Sequence, residues 1–217
     1  MIVATGFAAR GDDPWMPKPG STLAEARLDP HEFKVIERES GSVSYYKIVE
    51  DPVEPFLRAV YRPPLETVVV GVDIGDDLRA QSKKLRWKWR AMALPIGANE
   101  CKDGLGDSSA SVYVAWKRWL KIYSLKFVWS TTVPKGTLCL GTSNLFLEQA
   151  TVVLESGPPL GTWISEEIDL ATEFRQAFAD GDPSAPVPEL LGLGVMSDGD
   201  QTHSLSAADY GSFTLLH

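Results

Sequence analysis

At 217 residues, with 44% hydrophobic and 23% charged side chains, the chain has the make-up of a soluble globular protein and can bury a substantial core as one large domain. Twenty-nine acidic against 21 basic residues give a net charge of −8. That balance argues against nucleic acid and anionic membrane surfaces as partners, since both call for a basic face.

Residues 1–30 carry Gly-Asp-Asp-Pro and Pro-Lys-Pro-Gly and read as an irregular arm, with residues 31–217 forming one domain. Met1–Ala9 is short and apolar and lacks a basic start, so it does not read as a signal peptide. Removal of a leader would place the protein in the periplasm or outside the cell, and otherwise it is cytoplasmic. No run approaches the ~18 apolar residues of a membrane span, so no membrane insertion is expected.

Short β-like runs follow. Phe33–Arg38 and Val43–Val49 are spaced as a hairpin, then come Phe56–Tyr61, Glu66–Ile74 and Leu85–Arg90. The last run alternates without a break. As a strand it puts Leu85, Trp87 and Trp89 on one face and Arg86, Lys88 and Arg90 on the other. That pattern places the tryptophans in a core and the cations outside. Arg86, Lys88 and Arg90 then offer a surface for an anionic ligand, or simply a solvated face.

Further strands are expected at Ser111–Trp116, Ser124–Ser130, Phe146–Glu155 and Thr162–Ile168. Asp169 then caps a single short helix in which Leu170, Phe174, Ala177 and Phe178 recur at helical spacing up to Asp180-Gly181-Asp182-Pro183. Leu191–Met196 and Tyr210–Leu216 close the chain. About ten short strands with one short helix make an all-β protein, a β-sandwich of jelly-roll type.

Seven tryptophans are many for this length. Most fill a core, but Trp116, Trp119 and Trp163 have basic or loop-like neighbours and are candidate ligand platforms, with Tyr113 on the same strand as Trp116. Cys101 and Cys139 either form one disulfide or stay free, depending on compartment.

Asp198, Asp200 and Thr202 alternate, and Asp209 follows Asp198 by eleven residues. That spacing partly matches a calcium loop, although the glycine sits at the second position and no glutamate closes it. The plain alternative is a turn whose aspartates accept from nearby backbone N–H groups. Asp107, Glu166, Asp169, Asp198 and Asp200, with Glu167 beside them, could supply an acid/base pair if two converge in an apolar pocket, with His203 as a further base. No nucleophile-elbow motif accompanies them.

An ordered series runs through these segments: Leu85–Arg90 with Leu94-Pro95; Gly106-Asp107 before Ser111-Val112-Tyr113-Val114; Leu125–Trp129; Gly161-Thr162-Trp163 with Glu166 and Asp169; Phe174-Arg175 with Phe178; and Gly194–Thr202 ending in Asp209-Tyr210-Gly211. On this series the sequence resembles a bacterial family, domain of unknown function 3047, over roughly residues 31–216. Ser108 and Ser212 stand where the family pattern usually has acids. The resemblance implies a jelly-roll similar to galactose-binding modules, often exported, and implies no established reaction.

Two functions are carried forward. One is a non-catalytic binding module for a carbohydrate or related small molecule, with calcium at most structural. The alternative is a pocket enzyme (lyase, isomerase or cyclase) that uses a carboxylate as acid and base. Oligomeric state stays open.

Overall fold

A computed structural model describes residues 23–38 and 44–217. Strands β1 (Glu25–Arg27), β2 (Lys34–Arg38), β3 (Tyr46–Val49), β4 (Phe56–Tyr61) and β5 (Val68–Val72) precede helix α1 (Asp76–Gln81). Next come β6 (Lys84–Ala93), β7 (Ala110–Arg118), β8 (Lys121–Ser130), β9 (Leu138–Ser143), β10 (Leu147–Ser156) and β11 (Ile164–Asp169). Helix α2 (Leu170–Phe178), β12 (Glu189–Met196) and β13 (Ser206–Leu216) complete the chain.

The strands form two sheets. One has the order β11-β6-β13-β4-β3, with β1 also paired to β13, and the other has β2-β5-β12-β7-β8-β10-β9. The β8–β10 pair is parallel. This is the expected all-β jelly-roll sandwich, with two α-helices among the described residues in place of one. Helix α1 went unforeseen because its six residues bury nothing and so carry no apolar stripe. Among the described residues no helix is long and apolar enough to cross a membrane.

Period-2 patterning explains the layers. On β6, Leu85, Trp87, Trp89 and Ala91 are fully buried, while the intervening residues are half-buried on the other face. Leu125, Phe127 and Trp129 on β8 meet them from the second sheet, with ring centroids 5.9 Å apart for Trp87–Phe127 and 6.1 Å for Trp89–Trp129. Such edge-on and tilted contacts suit the quadrupoles of aromatic rings. Helix α2 plugs one end of the sandwich. Asp169 caps it by accepting from Thr172 N–H at 2.8 Å, and Phe174 packs on Trp116 and Tyr123.

Three local expectations need correction. Phe33–Arg38 and Val43–Val49 do not form a hairpin, because β2 pairs with β5 in one sheet and β3 with β4 in the other; the connection, residues 39–43, lies outside the described residues. The expected arm falls outside them up to residue 22, and in its remainder Glu25–Arg27 pairs with the end of β13. Trp116 is no platform: it shares the inward face of β7 with Val112 and Val114 and is buried with them. Cys101 and Cys139 are joined as a disulfide with a Cα–Cα distance of 5.2 Å, which ties the β6–β7 loop to edge strand β9.

Candidate functional site

The outer face of the seven-stranded sheet carries a groove of about 800 Å³. Its floor is made where outward positions are small: Gly71 on β5, Gly192 and Gly194 on β12, and Ala115 on β7. At Gly71 a Cβ would stand 2.7 Å from Ile36 Cδ1, so the glycine lets the Ile36 side chain close down as a wall. Tyr113 and Met196 line the next stretch, and Asp198, Asp200 and Gln201 stand at one end.

Two loops build that end, and they staple each other. Thr202 donates to Asp107 Oδ2 from its backbone N–H at 2.7 Å and from Oγ1 at 2.6 Å. Ser108 N–H donates to Asp198 Oδ1 at 3.0 Å, Asp198 N–H donates to Ser108 O at 3.2 Å, and Gly106 N–H donates to Gln201 Oε1 at 2.7 Å. Thr67 Oγ1 donates to Asp200 Oδ1 at 2.9 Å. The turn between the two aspartates needs Gly199, since a Cβ there would lie 2.1 Å from Ser204 O.

The result is a charged cluster. Carboxylate oxygens of Asp107, Asp198 and Asp200 lie within 4.8 Å of one another, so the three could hold a cation. Burial pushes the Asp198 carboxyl up to about 6, and the Lys126 ammonium pulls against that shift. Lys126 projects from β8 and donates to Gly106 O at 3.2 Å. Burial opposes its charge, but Asp198, Tyr113, Glu100 and Asp107 around it hold the ammonium above the ordinary lysine value. Burial likewise raises the Glu100 carboxyl, which accepts from Ser130 Oγ at 2.5 Å.

The expected site residues therefore separate. Asp107, Asp198 and Asp200 converge. Thr202 stands against Asp107, donating to it from N–H and Oγ1, while Asp209 is on the opposite sheet and so belongs to no ion site with Asp198 and Asp200. Glu166 accepts from Trp89 Nε1 at 3.3 Å, and Asp169 caps α2. His203 is exposed in the turn before β13 and Glu167 pairs with Lys84 and Arg86, so both lie apart from the cluster. Nothing in the sequence marks Lys126 for this place, since it follows Lys117, Arg118 and Lys121 as one more cation.

Arg86, Lys88 and Arg90 do face outward, but each is paired: with Glu167 and Glu25, with Glu54, and with Asp209. Arg90 and Lys88 also lie over Trp163, at 4.5 and 4.9 Å from its ring centroid. This face is neutralised and covered. Tyr113 alone of the expected ligand-binding residues lines the groove; Trp119, 91% exposed, lines a separate, smaller depression at the β7–β8 turn.

The cluster gives a pH dependence. Asp198 holds its proton to higher pH when folded than when unfolded, so the native state binds the extra proton between about pH 4 and 6. Stability from this group falls as pH rises through that window and is level above it. Lys126→Met removes the counter-charge and raises the folded carboxyl further. We expect a loss of about 1–3 kcal/mol at pH 8 that shrinks towards pH 5. Urea melts at both pH values check this, and an equal loss at each would contradict it.

A family model described as a protein of unknown function (DUF3047) matches residues 42–214. No curated protein matches the sequence. Among solved structures, the xyloglucanase domain of the Sinorhizobium fredii type three effector NopAA is 9% identical, with 89% of this chain and 96% of that chain covered at a TM-score of 0.47. The catalytic domain of Humicola grisea Cel12A is 11% identical, with 87% and 93% covered at 0.47. Endoglucanase 3 of Trichoderma harzianum is 9% identical, with 91% and 98% covered at 0.43. At such scores, function has to be argued from this chain's own residues.

Proposed function

The chain belongs to the DUF3047 family, and from that premise we propose that it is a non-catalytic binding module whose outer-sheet groove takes a carbohydrate or a related polyol. One observation carries the reading: a groove of ligand size sets the Tyr113 ring beside Asp198, Asp200 and Gln201. A sugar presents an apolar face, which suits a ring, and a rim of hydroxyls, which suits carboxylate and amide acceptors. Gln149 and Ser124 add hydrogen-bonding groups on the opposite side.

Screening on a glycan array, followed by calorimetry on the hits, tests it. Binding should weaken by about tenfold or more, roughly 1.4 kcal/mol, in Tyr113→Ala and in Asp200→Ala, with far-UV circular dichroism unchanged. No binder on the array would overturn the reading.

The convergence of Asp107, Asp198 and Asp200 favours a second reading, the acid/base enzyme. Asp198, with its proton held to about pH 6, is the acid it would use. Turnover of a bound saccharide that disappears in Asp198→Asn while binding persists would move the assignment there. Calcium enters either reading as a structural ion only. One oxygen from each of the three carboxylates makes up about half of the six to eight oxygens it needs. Both oxygens of Asp107 already accept hydrogen bonds, and Lys126 supplies positive charge nearby.

A further inference from the structure

We propose that the groove continues past Ala115 to the β7–β8 hairpin tip, where Trp119 forms a second platform, and that the ligand is a linear, uncharged glycan chain lying along β7 and β12. This deepens the binding reading above and rests on it.

Three observations converge. First, the groove does not stop. A second depression of about 290 Å³, lined by Lys117, Trp119, Glu189 and Leu190 with Arg79, shares Leu191 with the first. Second, Trp119 is held in an unfavourable backbone conformation without packing to compensate. Arg118 and Lys121 are paired, so Trp119 and Leu120 make a two-residue hairpin turn. Trp119 has φ +59°, in the left-handed region where such turns take glycine or asparagine. Its ring is 91% exposed. A bulky residue under backbone strain and facing solvent points to a role outside the fold's own packing.

Third, the face is graded along its length. Tyr113 adjoins the carboxylate end, and Trp119 lies six residues later in the turn that ends β7, roughly 20 Å away at strand rise. Between them the outward residues are Ala115 and Lys117 on β7 and Gly192 and Leu191 on β12. Two rings that far apart suit separate units of one chain rather than a single sugar. The ends differ in charge: Asp198 and Asp200 stand at one, while at the other Arg79 is paired with Asp73 and Asp76 and Lys117 faces Glu189 in register, which leaves that end balanced. A polyanion would meet the carboxylates and find no excess of cations at the far end to offset them, whereas an uncharged chain meets no such penalty.

The test uses the full chain and calorimetry with cellobiose, cellotetraose and cellohexaose, and with the corresponding xylan and mannan series. Affinity should rise by about tenfold or more from the two-unit to the six-unit member of the series that binds. Trp119→Ala should abolish that rise and leave two-unit affinity as it was. Trp119→Gly should abolish it too while raising Tm, because glycine relieves the backbone strain; a purely structural tryptophan would not give that split. Length-independent binding that still needs Tyr113 would overturn the extended chain and leave the binding module standing. Self-association lost in Trp119→Ala, without any length dependence, would also overturn it. No binding to any series would remove both.

Discussion

Asp209→Ala is expected to cost about 3–5 kcal/mol of folding stability, the range for breaking a buried ion pair by deleting one partner. Asp209 is fully buried although it points to the outer face of its sheet. It sits in register between Arg58 on β4 and Arg90 on β6. Arg58 donates from Nε at 2.6 Å and from its terminal nitrogen at 2.8 Å, and Arg90 Nε donates at 2.7 Å. Phe56 and Trp163 then cover the guanidiniums. Deleting the carboxylate leaves two cations side by side under that cover. Their side chains are 30% and 21% exposed, so they can partly reach water, which favours the lower half of the range. Urea denaturation measures the loss, and a change under ~1 kcal/mol would mean that solvent already screens the trio. Removing the two arginines together with the aspartate, as Arg58→Met, Arg90→Met and Asp209→Leu, should recover most of the loss.

The same residue shows where the sequence misleads. Asp209 follows Asp198 at a spacing that suits a calcium loop, but β13 begins at Ser206 and carries it into a ladder. Its neighbours are then fixed by register, which no local pattern reveals. Leu85–Arg90 was legible because alternation is a property of the segment itself, and the core position of Trp87 and Trp89 follows from it. Trp116 was misread from its neighbours Lys117 and Arg118, which belong to the hairpin tip; parity with Val112 and Val114 carried the right answer. Strand β9 was missed because Gly141, Thr142 and Ser143 dilute its pattern and its residues are mostly exposed.

The candidate site was half legible for a related reason. Asp198 and Asp200 announce themselves as a loop, and Asp107 as a second one. Their convergence depends on hydrogen bonds between loops about ninety residues apart, Ser108 to Asp198 being one (|i−j| of 90). The groove floor of glycines and alanine gives no signal, because an outward small residue looks like any other weak strand position. Lys126 reaches the carboxylates only through the place of β8 in the sheet, which no local pattern encodes.

Tryptophan replacements on β6 should separate packing from hydrogen bonding. Trp87→Ala and Trp89→Ala each remove a fully buried ring and are expected to cost about 3–5 kcal/mol apiece. The two rings meet edge-on at 5.5 Å, so the double variant should cost less than the sum, each single change having already loosened the other's contact. Phenylalanine distinguishes the pair. Trp89 Nε1 donates to Glu166 Oε1 at 3.3 Å, and burial already raises that carboxyl. Trp89→Phe takes away a donor from a partly buried acid, which adds about 1–3 kcal/mol to the lost volume. Trp87 Nε1 is buried without a hydrogen-bond partner, so Trp87→Phe removes a group whose burial is itself unfavourable, and that gain offsets part of the packing loss. Urea melts should rank Trp89→Phe as the more damaging change. The reverse order would mean that the Glu166 bond contributes nothing and that ring volume alone decides.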